Sequence, residues 1–134
     1  MMSLPRTNTI PTPEYGGIGS IGVQILDPVA ENELVLSTHP RRTNVVHVDN
    51  WDAYCAARQL PDDAGIWIER LKLVVTDWQS VRPTWYYLNH GRGKVCNLKM
   101  VFNKEPCVLE WRAKRDIVAG EQLRFDYGIV PSGW

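Results

Sequence analysis

Turn-forming residues interrupt this chain so often that no long regular element fits into it. Its apolar runs are short, alternate with polar residues, and end on Gly, Pro, Asn or Asp. The clearest case is the pair of runs at 98–102 and 107–113, separated by Asn103-Lys104-Glu105-Pro106, which reads as a β-hairpin. Further short strands are expected at 23–26, 34–36, 44–49 and 122–127, with turns at Asp27-Pro28 and at 116–120. Asn50 is placed to cap one short helix, in which Trp51, Tyr54, Cys55 and Arg58 share a face and Ala53, Ala56 and Ala57 favour the conformation. Residues 66–78 fit both periods: Leu71, Leu73 and Val75 alternate as in a strand, while Ile68, Leu71 and Val75 would line one side of a helix. Val74-Val75-Thr76 tilts that segment toward strand. The fold class this predicts is mainly β (α+β), a roll of small sheets rather than alternating βαβ units.

At 134 residues the chain suits one domain with one core. Pro5, Pro11 and Pro13 mark residues 1–13 as a flexible or draped tail, leaving 14–134 as the folded domain. Fifteen basic residues balance fifteen acidic ones, so nothing electrostatic favours nucleic acid or a membrane surface. No apolar run approaches the ~20 residues of a membrane helix, and residues 1–10 hold no apolar stretch of signal length. Three scattered cysteines do not make a disulfide framework and read as reduced thiols. The expectation is an intracellular protein, nuclear or cytoplasmic, whose oligomeric state the sequence leaves open.

Several chemistries are absent from the sequence. There is no phosphate loop ending in Lys-Ser or Lys-Thr and no Gly-x-Ser-x-Gly elbow. The cysteines and His39, His47 and His90 lack zinc-type spacing, so no metal is expected. Two segments stand out instead, each dense in aromatic and amide side chains and each beside glycine: Trp85-Tyr86-Tyr87-Leu88-Asn89-His90-Gly91 and Gly120-Glu121-Gln122-Leu123-Arg124-Phe125-Asp126-Tyr127-Gly128. Six tryptophans and five tyrosines are many for this length. Their polar atoms need partners, which places several of them along a cleft. We expect the two segments to meet in one site.

A Gly-rich turn leading into Gly22-Val23, then Asn32-Glu33-Leu34, a mid-chain Asn89-His90, and the run from Ala113 to Gly128 occur here in one order. In this order and spacing the chain resembles the SET-domain family of protein lysine methyltransferases over about residues 16–128. The stretch 112–128 carries most of the resemblance. It implies a SET-type roll in which the C-terminal segment threads through a loop of the preceding chain, an arrangement rare enough that strand patterns alone do not suggest it.

The resemblance also implies S-adenosylmethionine as methyl donor and a lysine on a protein or peptide, histones included, as acceptor. Tyr127 then stands at the position of the catalytic tyrosine. Asn89 and His90 match the adenine-binding pair, and Gly17, Gly19 and Gly22 match the first cofactor loop. Trp134 is placed either to stack on adenine or to pack as an ordinary tail residue. Phe125, on the same strand face as Tyr127, would line the lysine channel with Tyr87. A phenylalanine at 125 accompanies di- or trimethylation in the family. Transfer to an amine needs a neutral lysine, whose ordinary pKa of about 10.4 an apolar aromatic channel lowers.

After Asn-His the family usually has Ser-Cys-x-Pro-Asn. Here Gly91-Arg92-Gly93-Lys94-Val95-Cys96-Asn97 is two residues longer, glycine-rich and basic, with Asn97 in the place of the last Asn. That loop bears on substrate choice and keeps a second reading open: a SET-like module that binds peptide or cofactor without catalysis. An unrelated β-rich domain binding single-stranded nucleic acid through its aromatics is opposed by the neutral charge.

Overall fold

The computed structural model describes residues 4–16, 20–38, 45–61, 64–68, 72–76, 84–103 and 108–127. Its elements, in chain order, are β1 (Thr7–Pro11), α1 (Pro13–Gly16), β2 (Ile21–Ile25), β3 (Leu34–Thr38), β4 (Val45–His47), α2 (Trp51–Arg58), β5 (Ile66–Ile68), β6 (Leu73–Val75), β7 (Asn89–His90), β8 (Leu98–Asn103), β9 (Val108–Ala113) and β10 (Gln122–Phe125). The strands build a seven-stranded sheet in the order β1-β2-β10-β8-β9-β3, with β7 attached to β10, and a small sheet in the order β4-β6-β5. This is the mainly β roll of small sheets that the sequence predicts.

The hairpin is the firmest part of that correspondence. β8 and β9 pair antiparallel in unbroken register from Leu98↔Ala113 to Asn103↔Val108. Alternation in β9 puts Leu109, Trp111 and Ala113 inside and leaves Val108, Glu110 and Arg112 half-buried between them, as the two-residue period of a strand requires. The main core gathers Val23, Ile25, Val35, Leu98, Leu109, Trp111, Leu123 and Phe125 around this hairpin. Each fully buried Leu side chain is worth about 1.5–3 kcal/mol relative to exposure.

The small sheet has its own core of Val46, Trp51, Cys55, Ala64 and Val74 beneath α2. The helical face read from the sequence is present: Trp51 stacks on Tyr54 at 5.6 Å, Arg58 lies 3.7 Å over the Tyr54 ring, and Cys55 is buried. Residues 66–68 and 73–75, ambiguous by period, are both strands and pair with each other.

Two expectations change. Residues 7–11 are not a tail: β1 makes five register pairs with β2, and Arg6 clamps its start to Asp27 through both side-chain and backbone bonds. Prolines are tolerated there because β1 is an edge strand with Pro11 at its end, and Pro13 opens α1. Asn50 does not cap α2. A 3-10 turn over Val48–Asn50 runs directly into the helix, so Asn50 has near-helical angles (φ −101°, ψ −2°) and its side chain makes no capping bond. A capping side chain needs extended backbone. His47 has it (φ −64°, ψ 142°), and its Nδ1 accepts from the Asp49 amide at 3.2 Å. Of the expected hairpin turn at 103–106, Asn103 ends β8 and the rest lies outside the described residues, as does the tail at 129–134.

β10 sets the topology around the site. It pairs antiparallel with β2 at Gln122 and Leu123, and parallel with β7 and β8 at Arg124 and Phe125. The loop joining β7 to β8 bonds to β10 from both of its ends: the Gly91 amide donates to the Phe125 carbonyl and the Asn97 amide to the Arg124 carbonyl, each at 3.1 Å. The C-terminal strand therefore runs through the loop, which is the threading that the family resemblance implies. A Cβ at Gly91 would stand 2.9 Å from Arg124 Cβ, so glycine is what lets the loop close this tightly. No helix among the described residues is long and apolar enough to cross a membrane.

Candidate functional site

Threading brings the two aromatic and amide segments side by side. β7 is only Asn89 and His90, and it lies in register with Arg124 and Phe125 of β10. Asn97 holds the crossing. This buried side chain donates from Nδ2 to the Gln122 carbonyl at 2.8 Å and accepts at Oδ1 from the Arg124 amide at 2.8 Å. Its amide thus pairs with β10 as a strand backbone would. An asparagine suits this because it carries both a donor and an acceptor at the spacing of a peptide group.

Tyr127 sits two residues past the end of β10, in a turn rather than in the strand. The His90 and Phe125 rings lie 5.0 Å and 4.9 Å from its own. Its hydroxyl donates inward to the Leu88 carbonyl oxygen. Its amide donates to His90 Nδ1 at 3.1 Å, which fixes that nitrogen as an acceptor. Asp126 Oδ1 is 4.0 Å from His90 Nδ1 and 3.8 Å from Arg92 Nε. Arg92 of the longer basic loop therefore reaches the edge of the site. Tyr127 is half exposed, whereas Phe125 is buried and also packs edge-on to Trp111 at 5.9 Å. Phe125 is shared between the core and the site.

On the other side of β7, Asn89 Nδ2 donates to Gln122 Oε1 at 2.9 Å and to Thr12 Oγ1 at 3.2 Å. Both hydrogens of that amide are used within the chain. Gly22 of β2 lies against this group: a Cβ there would stand 2.8 Å from Asn89 Nδ2, 2.8 Å from Thr12 Cγ2 and 2.9 Å from Gln122 Oε1. The glycine makes room for a cluster of polar side chains.

Of the residues singled out in the sequence, His90, Phe125 and Tyr127 meet in one place, while Asn89, next to His90 in β7, turns to the polar cluster beside Gly22. Tyr87 packs against the main core and touches Tyr86 edge-on at 5.2 Å. Gly17, Gly19 and Trp134 lie outside the described residues. Sequence reasoning missed Thr12 and Gln122. Thr12 falls in the stretch whose prolines read as a tail, and Gln122 is the amide of the second aromatic and amide segment, with nothing local that points it at Asn89. Among the described residues no group of His, Cys, Asp and Glu could hold a metal ion.

No protein-family model and no curated protein matches the chain. Solved structures do. A humanized mutant of the Chaetomium thermophilum Polycomb Repressive Complex 2 bound to the inhibitor GSK126 aligns with a TM-score of 0.63 at 20% identity, covering 94% of this chain and 15% of that one. An apo form of ctPRC2 with two substitutions in Ezh2 aligns with a TM-score of 0.63 at 19% identity over the same shares. This chain spans about 15% of the length of those neighbours. At such identity the likeness is one of architecture: the chain has a SET-like fold.

Proposed function

We propose that this protein is a SET-type lysine methyltransferase that uses S-adenosylmethionine and places Tyr127 at the reacting amine. The observation that carries the reading is the convergence of Tyr127, Phe125 and His90 where β10 passes through the loop after β7, with Asn89 the neighbour of His90 in that short strand.

The residues present fit the cofactor. Asn89 retains an amide oxygen to accept from a donor group, since its hydrogen bonds within the described residues leave from Nδ2. The rings of His90, Phe125 and Tyr127 pack together from the next position of β7 onward and offer an aromatic surface. When bound, S-adenosylmethionine supplies an electrophilic methyl group on a sulfonium.

The chain's own part is alignment and desolvation. In-line displacement by an amine needs little beyond a neutral nucleophile held in place. Aromatic surroundings disfavour the ammonium form of lysine and so deliver the neutral amine. The Tyr127 hydroxyl has its proton directed at the Leu88 carbonyl, and the phenolic oxygen has acceptor capacity toward an amine N–H. Carbonyl oxygens near the site add weak C–H···O contacts to a polarised methyl. The acceptor is a lysine on a protein, histones among the candidates, presented as an extended segment beside a strand. We read residues 7–127 as parts of one SET-like unit. The structural neighbours belong to a repressive complex, which favours a nuclear setting and protein partners.

A radiolabel transfer assay over histones and lysine peptides tests the reading, with Tyr127→Phe as the control. Label transferred to lysine by the wild type and lost in the variant supports it. Cofactor binding with no transfer to any lysine would favour the second reading, a SET-like module without catalysis. Arg92 and the longer loop beside Asp126 are the feature that favours this alternative.

A further inference from the structure

We infer that Gln122, seconded by Thr12, is a positioning residue that turns the Asn89 amide so that it offers oxygen to the cofactor and selects an N–H donor group there. This rests on the reading above, in which Asn89 touches S-adenosylmethionine.

A primary amide is nearly symmetric in shape and opposite in chemical sense at its two ends: one end donates twice, the other accepts. In water nothing decides which end faces a ligand. Here side chains from two other parts of the chain decide it. Gln122 Oε1 from β10 and Thr12 Oγ1 from the residue after β1 both accept from the amide nitrogen of Asn89 in β7. Thr12 is buried and held by its own amide, which donates to the Ser20 carbonyl at 2.8 Å. Gln122 is fixed through its backbone, which pairs with Gln24 of β2 and receives Asn97 Nδ2 on its carbonyl. Gly22 leaves the volume in which the two amides meet.

With both hydrogens committed, Asn89 has one thing to give a ligand: the lone pairs of Oδ1. It therefore does not make the two-way contact with an adenine edge that an unconstrained asparagine could make. Its ligand group is an N–H donor. S-adenosylmethionine carries two of the right chemistry, the exocyclic amine of adenine and the α-ammonium of the methionine moiety.

Calorimetry with S-adenosylmethionine and with 5′-methylthioadenosine, which keeps the adenine and lacks the ammonium, separates these. Gln122→Glu keeps an acceptor and should bind within about threefold of wild type. Gln122→Leu removes one acceptor and should weaken binding about tenfold, the scale of one hydrogen bond. Thr12→Val, should Gln122→Leu fail to fold, is expected to weaken binding in the same ligand-dependent way. Thermal melts of the ligand-free variants report their folding separately. Weakening toward both ligands assigns the adenine amine; weakening toward S-adenosylmethionine alone assigns the ammonium; either supports the inference. It is overturned if Gln122→Leu binds both ligands as wild type does, or if Gln122→Glu weakens binding as much as Gln122→Leu. A wild type that binds neither ligand overturns the functional reading as well, whereas a wild type that binds and a leucine variant that binds equally overturn this inference alone.

Discussion

The phenolic hydroxyl of Tyr127 donates to the main-chain carbonyl oxygen of Leu88, 39 positions earlier in the chain. That bond spans the crossing of β10 through the β7–β8 loop and ties the residue proposed to meet the lysine to the segment proposed to meet the cofactor. Tyr127→Phe keeps the ring between His90 and Phe125 and removes only the hydroxyl. Methyl transfer should fall about 100-fold, the cost of small misplacement at a reacting centre, while stability falls by about 1 kcal/mol for one hydrogen bond. Transfer kinetics together with a denaturation curve measure the two effects separately.

Asn97 shows what holds the crossing closed. Asn97→Ala would leave the Gln122 carbonyl and the Arg124 amide without the side-chain partners they now have. Losing a buried partner costs about 1–3 kcal/mol per group, so a loss of about 3 kcal/mol is expected in urea denaturation. A loss below about 1 kcal/mol, the scale of an ordinary surface change, would mean that the loop closes without Asn97.

Gly22→Ala should act at a distance through Asn89. The added Cβ meets Asn89 Nδ2, Thr12 Cγ2 and Gln122 Oε1 inside van der Waals contact, and overpacking of this kind costs about 1–3 kcal/mol. The melting temperature should drop, and cofactor affinity should drop with it because the Asn89 amide is displaced. A variant as stable as wild type would show that the cluster can yield.

Acid should loosen the start of β1. Bonds from the Arg6 side chain, then from its backbone amide, hold the Asp27 carboxyl at about 2, below the ordinary carboxylate range. Glu121 is likewise lowered, first by its hydrogen bonds from Arg115. A lowered carboxyl contributes stability that is full above the unfolded value, about 4, and lost as pH falls through the folded one. Asp27→Asn should therefore be less stable than wild type near neutral pH, and the gap should close between about pH 4 and pH 2. The pair lies at the surface, with Arg6 largely exposed and Asp27 partly so, and the gap is therefore small and shrinks in high salt.

Phe125→Tyr puts a hydroxyl beside Tyr127, whose ring is 4.9 Å away. If Phe125 sets the space around the lysine amine, product mass spectra should shift toward monomethyl-lysine. An unchanged product distribution would confine Phe125 to its core contact with Trp111.

What the sequence made legible followed local rules. The runs at 98–102 and 107–113 predicted the β8–β9 hairpin, and the spacing of Trp51, Tyr54, Cys55 and Arg58 predicted the face of α2. The meeting of His90 with Phe125 and Tyr127 follows from the shared aromatic and amide character of the two segments and from the family resemblance, since residues so far apart share no period. Thr12 and Gln122 stayed hidden for the same reason: they meet Asn89 across 77 and 33 positions. Pro11 and Pro13 misled because their effect depends on sheet position, which an isolated segment does not reveal. An edge strand accepts a proline that an interior strand rejects.

Titration calorimetry of the wild type and of Asn89→Ala with S-adenosylmethionine tests the central claim most directly. The account predicts saturable binding at a single site in the wild type, weakened about tenfold or more in the variant by loss of the amide contact. A wild type that gives no binding heat at high protein and ligand concentration, or a variant that binds as tightly as wild type, would contradict it.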